Sequence, residues 1–257
     1  MEISITDKNK TVIFVQLFQH LKLFTNAISV QIDKDRFYIQ GMDSSHISIF
    51  EISLMKDWFD KFEINDHQDI GINIIIFSKI LSTHESGQSI LLNQSNNDTL
   101  DISFHSDNKN EFNKDFTMPL IDLESELLGI PETDYDLEFN LETKKFKTII
   151  DELCNFGDCV DIKFENDTIS LSSETESEGS MKLSINTDDL EECSVNDDTS
   201  ISCSFNIKFI HYMCQYHKIS KYANLYFTNE IPMQCKYFID DNELNFIRFY
   251  LAPKVED

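Results

Sequence analysis

Four side chains in the second half of the sequence, Cys154, Cys159, His211 and Cys214, have the chemistry of a zinc site, thiolate and imidazole being the ligands that zinc binds tetrahedrally. His211 and Cys214 stand three apart, which puts both on one face of a helix. Cys154 and Cys159 form no CxxC pair, and nothing in the sequence brings the two pairs together. Cys193, Cys203 and Cys235 also lack paired spacing, and most of the six cysteines sit among apolar neighbours, so they read as reduced core thiols. A second set, Asp158, Asp161 and Glu165, offers carboxylates of the kind that hold a divalent ion in a hydrolase. Its run is strand-like, so alternation points Asp161 and Glu165 to one face and Asp158 to the other, with no nucleophile or base nearby. The expectation is a protein that is not an enzyme and needs no cofactor or metal.

The elements that would position such residues come next. At 257 residues and 41% hydrophobic, the chain can bury one large core or two ordinary ones. Its formal net charge of -25 argues, at face value, against nucleic acid and against anionic membranes. The most apolar early run, Val12 to Phe24, is broken by Gln16, Gln19, His20 and Lys22, so neither a membrane span nor a signal peptide is expected and the chain reads as soluble and intracellular.

A helix is predicted from Thr11 to about Phe24, where Val12, Ile13, Val15, Leu17, Phe18, Leu21 and Phe24 recur at helical intervals and Thr6 and Asp7 can cap the approach. Strands are predicted over Ala27 to Ile32, Arg36 to Ile39, Ile47 to Leu54, Ser89 to Asn93, Thr99 to His105 and Glu111 to Met118. Further helices are predicted after Asn73, from Leu141 to Phe156 and from Ile207 to His217. Three helix entries share a signature, Ile72-Asn73-Ile74, Phe139-Asn140-Leu141 and Phe205-Asn206-Ile207, each with an Asn suited to capping. Their spacing suggests an internal duplication. The divisions are 1–118, a connector over 119–135, and 136–257. The connector is rich in Leu and Ile and interrupted by Gly129 and Pro131, so it should lie along a surface as an extended strap.

Three runs carry a resemblance: Gln40-Gly41-Met42-Asp43-Ser44-Ser45-His46, Leu128-Gly129-Ile130-Pro131-Glu132, and Tyr250-Leu251-Ala252-Pro253-Lys254-Val255-Glu256-Asp257. In order and spacing they resemble the eukaryotic-type sliding clamp family of proliferating cell nuclear antigen, over essentially the whole chain. The resemblance implies an α+β fold of two duplicated clamp domains per chain, with helices lining a ring and sheets outside. It implies a homotrimer that encircles double-stranded DNA without sequence preference. It also implies an ATP-dependent clamp loader that places the ring, DNA polymerase and other replication and repair proteins tethered through clamp-binding peptides, and location in the nucleus, or at a cytoplasmic replication site for a virus-encoded member. A scarcity of glycine and an abundance of Ile, Asn, Asp and Phe suggest an AT-rich coding source such as a large DNA virus.

Carried over residue by residue, the resemblance places a partner-peptide groove at Met42, His46, Ile49, Leu128, Ile130, Pro131, Pro232, Tyr250, Leu251, Ala252 and Pro253. It implies DNA-facing positions at Lys22, Lys79, Lys147, Lys208 and Lys218. Topological closure would reconcile an acidic outer surface with DNA. The sequence also departs from the family: Val15 and Gln16 stand where it has a pair of lysines, Asp151 where it has an arginine, and Asn166 where it has a modifiable lysine. Alternation of Phe112, Lys114, Phe116 and Met118, and of Met181, Leu183 and Ile185, gives two edge strands expected to pair between subunits, with Lys109 and Lys114 facing Glu174, Glu176 and Glu178. A subunit of a heterotrimeric checkpoint-type clamp, or a clamp-derived transcription scaffold, would share the fold.

Overall fold

The computed structural model describes residues 1–108, 111–123 and 127–254. Lys109 and the last three residues of the C-terminal motif fall outside them. The first half runs β1 (Glu2–Ile5), α1 (Lys8–Leu21), β2 (Ala27–Ile32), β3 (Arg36–Met42), β4 (Ser48–Met55), a 3-10 turn, β5 (Lys61–Glu63), β6 (Gln68–Asn73), α2 (Ile74–Leu81), β7 (Ser89–Asn93), β8 (Thr99–His105) and β9 (Lys114–Pro119). The second half repeats that order: β10 (Leu137–Glu142), α3 (Thr143–Leu153), β11 (Cys159–Glu165), β12 (Thr168–Thr175), β13 (Gly179–Asn186), a 3-10 turn, β14 (Cys193–Val195), β15 (Ile201–Asn206), α4 (Ile207–Cys214), β16 (Tyr222–Phe227), β17 (Met233–Phe238) and β18 (Phe246–Leu251). The duplication expected from three Asn is thus an element-by-element correspondence. Among the described residues, no helix is long and apolar enough to cross a membrane.

The chain divides into two compact units. Unit 1 comprises Met1–Ser44, Phe50–Leu128 and Phe238–Ile247; unit 2 comprises Ser45–Ile49, Gly129–Tyr237 and the residues from Arg248 on. In unit 1 the strand orders are β5-β1-β7-β8-β9 and β4-β3-β2-β6, and the matching orders of the second half are β14-β10-β16-β17-β18 and β13-β12-β11-β15. Registers correspond as well: Ile3 faces Leu92 across β1 and β7, and Phe139 faces Leu225 across β10 and β16.

Helix entry depends on capping in three cases of four. Asp7 accepts hydrogen bonds from Asn9 and Lys10 N–H, Asn73 from Ile75 and Ile76, and Asn206 from Lys208. Asn140 corrects the sequence reading: it lies inside β10, buried, where its side chain donates to the Glu192 carboxylate at 2.9 Å, and α3 begins at Thr143, with Glu142 in the N-cap position making no side-chain cap bond. Val12 is corrected too. It is 41% exposed, and Phe14, fully buried, takes its place on the inner face of α1. Phe14 and Phe18 pack tilted with ring centres 4.8 Å apart, and Phe18 meets Phe77 edge-on at 4.9 Å, so rings from α1 and α2 fill the unit 1 core, and Ser78 Oγ donates to the Phe18 carbonyl at 2.9 Å. Unit 2 builds its core from Phe205, Phe227, Tyr216 and Phe249, with the Tyr237 hydroxyl donating to the Met213 carbonyl at 3.0 Å.

Each unit has an edge strand to which a departing segment is latched. After β9, Ile121 N–H donates to the Gly71 carbonyl on β6 at 2.9 Å; after β18, Lys254 N–H donates to the Ser204 carbonyl on β15 at 2.7 Å. Gly71 and Ser204 each lie two residues before their helix-capping Asn, so the two latches are counterparts. Gly71 is buried, and a Cβ added there would meet the Ile121 carbonyl oxygen at 2.0 Å. Gly71→Ala is expected to push the connector off β6 and destabilise the protein by about 1–3 kcal/mol. The test reads the urea midpoint together with amide exchange at Ile121, and no change in either would remove the latch from the account.

Candidate functional site

The positions expected to form the partner groove divide between the units. In unit 1, the Gln40 side chain brackets the connector at Leu128: its Nε2 donates to the Leu128 carbonyl at 3.1 Å and its Oε1 accepts the Leu128 N–H at 2.6 Å. One primary amide therefore satisfies both backbone groups of one residue, as a neighbouring strand would. Leu123, Leu127 and Leu128 remain exposed, and Met42 at the end of β3 is half-buried. In unit 2, His46 is exposed in a turn at φ 59°, in the left-handed region, and the Ile47 carbonyl that follows accepts the Ala252 N–H at 2.9 Å. The Tyr135 hydroxyl, pushed up to about 12 by burial and so held protonated, donates to the Pro232 carbonyl at 3.3 Å.

Ile49, Ile130, Tyr250, Ala252 and Pro253 are half-buried, and Pro131 and Pro232 are exposed. Leu251 is the correction here. It is fully buried at the end of β18, so it supports the surface from beneath and offers a peptide no wall. A recess of about 530 Å³ within unit 2 is lined by Ser202, Ser204, Glu230, Pro253 and Lys254 among others, beside the tail latch. Sequence reasoning missed Gln40 as the connector's clamp, since nothing in a Gln 88 positions upstream points to Leu128.

The expected edge strands also differ in detail. β9 starts at Lys114, and Phe112 lies before it, 77% exposed, with its carbonyl accepting from Gln88 Nε2 at 2.8 Å. Phe116 and Met118 do turn inward, and Phe116 packs on Phe104 at 5.6 Å. Lys114 pairs at 2.5 Å with Glu85 of its own unit. On β13, Met181, Leu183 and Ile185 are half-buried and alternate with exposed residues. β9 pairs with β8 and β13 with β12; among the described residues neither has a strand on its other side.

The four helices are enriched in lysine and nearly free of the carboxylates that crowd the rest of the chain. The protein holds 46 Asp and Glu. Yet α1, α2 and α4 contain none, while the helices carry Lys8, Lys10, Lys79, Lys144, Lys145, Lys147 and Lys208. Only α3 has carboxylates, Asp151 and Glu152. Lys22, the C-cap of α1, and Lys79, Lys208 and Lys218 are exposed, Lys208 with its ammonium 5.6 Å from the Tyr212 ring centre. Lys147 is different, its Nζ 2.6 Å from Asp151 Oδ2.

The metal chemistry does not assemble. Among the described residues no three His, Cys, Asp or Glu side chains are grouped to hold an ion. His211 faces Asp151 at 3.2 Å, Cys159 lies 3.4 Å from Lys254 Nζ, and burial pushes the Cys154 and Cys214 thiols up, away from the thiolate a metal requires. Asp161 sits on β11 opposite Ser172 and Ser204, and Glu165 opposite Thr168.

Two family models match the sequence, one for each half. The model of the proliferating cell nuclear antigen N-terminal domain matches residues 6–127, and that of its C-terminal domain matches residues 129–254. With the duplicated strand and helix order already established, these matches mean that the chain belongs to the proliferating cell nuclear antigen family of sliding clamps.

Proposed function

We propose that three copies of this chain close head to tail into a ring around duplex DNA, and that the ring is a non-enzymatic processivity factor tethering DNA polymerase and other replication and repair proteins. The observation that carries this is the segregation of charge. A chain of net charge -25 has three helices free of carboxylates and seven lysines on its four helices, the distribution needed if only those helices meet phosphate. The internal repeat supports ring closure. β18 corresponds to β9 and β4 to β13, and β18 and β4 are neighbours in the strand order while β9 and β13 each keep an open side. A β9 from one copy laid on β13 of the next would repeat a pairing the chain already makes. Met42, His46, Ile49, Leu128, Ile130, Pro131, Pro232, Tyr250, Ala252 and Pro253 are the surface we assign to partner peptides. Lys22, Lys79, Lys208 and Lys218 are the cations we assign to DNA. The working site is the nucleus, or a cytoplasmic replication site.

Light scattering at micromolar concentration is expected to give three times 30.0 kDa. A stable monomer would instead favour a ring of mixed subunits. On DNA, a ring placed on closed circles by an ATP-dependent loader is expected to stay until the circle is cut; loss at equal rates from circular and linear DNA would sink the encircling clamp. For the peptide surface, Ile130→Asp sets a carboxylate among apolar groups and is expected to weaken a peptide with one aliphatic and two aromatic anchors by about 2 kcal/mol or more while the trimer survives. Calorimetric titration checks it, and equal affinities for both proteins would place the docking surface elsewhere.

A further inference from the structure

We infer that Asp151 holds Lys147 and His211 out of phosphate contact, so that the α3 and α4 face grips duplex DNA more weakly than its lysines would allow; the inference rests on the encircling reading above. Asp151 is one of only two carboxylates on the four helices, and it is placed against the Lys147 ammonium and the His211 ring. Its Oδ2 is 2.6 Å from Lys147 Nζ, one turn earlier on α3, and its Oδ1 is 3.2 Å from His211 Nε2 on α4. Both carboxylate oxygens are thus engaged, one by each helix. His211 Nε2 can donate to Asp151 only if it does not accept from Gln215, whose amide donates to the His211 carbonyl at 3.0 Å. All three side chains of the cluster are partly open to solvent, where such a pair adds little to stability. Its consequence is therefore sought in what else could meet those charges.

Two outcomes are open to a phosphate approaching Lys147. Either the ammonium stays with Asp151 and contributes little attraction, or it moves to the phosphate and leaves a bare carboxylate beside a polyanion. Attraction falls in both cases. Nearby Lys144, Lys145 and Lys208 have no such partner among the ion pairs of the described residues, so the effect is local to one turn of α3. A ring retained by topology needs no tight grip, and fewer phosphate contacts mean fewer counterions to displace at each step along the duplex.

Asp151→Asn keeps the shape and removes the charge. In the free protein, mass spectrometry after brief acetylation is expected to show Lys147 modified several-fold more slowly than Lys144 and Lys145 in the parent, and at their rate in the variant. Anisotropy with a short linear duplex at 50 to 200 mM salt is expected to show the variant binding about three- to tenfold tighter at low salt, with a salt slope steeper by about one for each chain engaged. Adding Lys147→Gln should remove that gain in the Asn background and change little in the parent. Lys147 equally reactive in both proteins would overturn the masking. A released Lys147 with unchanged DNA binding would overturn its role at DNA, and loader-dependent retention of the parent ring then tells whether the encircling reading failed with it.

Discussion

An open sheet edge is the constraint on which the architecture depends, because every unpaired strand exposes a row of N–H and C=O groups that another chain can take. The chain meets this constraint in three ways. β5 and β14 are edge strands of only three residues each. β6 and β15 are latched by the connector and by the tail, each through one backbone bond. β4 and β18 are neighbours in the strand order, supported in unit 1 by Met55 N–H donating to Asn245 Oδ1 at 2.7 Å and in unit 2 by the Ala252 to Ile47 bond. That leaves β9, of six residues, and β13, of eight, long and flanked on one side only. Sequences rarely leave long edges open unless something pairs with them, and in the ring proposed above the internal repeat would supply the partner: each open strand is the counterpart of one that is already a neighbour of the other's counterpart.

Charge is organised with the same economy. The acidic total repels nucleic acid when averaged over the surface, and a reading based on the average alone excludes DNA. Resolved by element, the acids lie in strands, turns and loops, and the helices are left nearly free of them. α1 and α2 carry no carboxylate and intersperse a few lysines with uncharged positions: Val12 and Ile76 are exposed, and Gln16 hydrogen-bonds to both Gln19 and His20. Such a face can lie near a polyanion without binding it strongly.

Much of this was legible in the sequence, for identifiable reasons. α2 starts where Asn73 predicts because Asn capping is a local interaction, complete within four residues. The strands from Ala27, Ser89 and Thr99 have their expected bounds because alternation is also local. Asn140 misled because the same triplet can enter a strand, where the partner is Glu192, far along the chain. Val12 misled because Val12, Ile13, Phe14 and Val15 run together in the first helix, and composition cannot say which side of such a run faces the core; Phe14 wins by filling the space between Phe18, Phe37, Trp58 and Phe77. Leu251 misled because a position in a motif does not state which way its side chain points on a strand. The Gln40 bracket and the Asp151 cluster were illegible for one reason: each joins residues by side-chain geometry that only the fold sets.

The Gln40 bracket explains how a connector can be held in place and still present apolar side chains. Had Leu128 been fixed by a regular ladder, the pleat would have turned alternate residues toward the sheet and paired its backbone along several residues. A side-chain amide fixes one residue at a time. It satisfies the N–H and C=O that would otherwise need water, contributing on the order of 1 kcal/mol for each bond, and imposes no alternation on the neighbours. Leu127, at 50% exposed, and Leu128 can then both face outward from consecutive positions, as no regular strand would permit. Exposing those leucines is unfavourable by roughly 25 cal/mol for each Å² left in water, a cost that an incoming apolar anchor would recover. At Leu128 the connector is therefore held by polar bonds to its own unit and left unsatisfied only in its hydrophobic surface, so that a partner of the kind proposed would bind this residue without first having to order it.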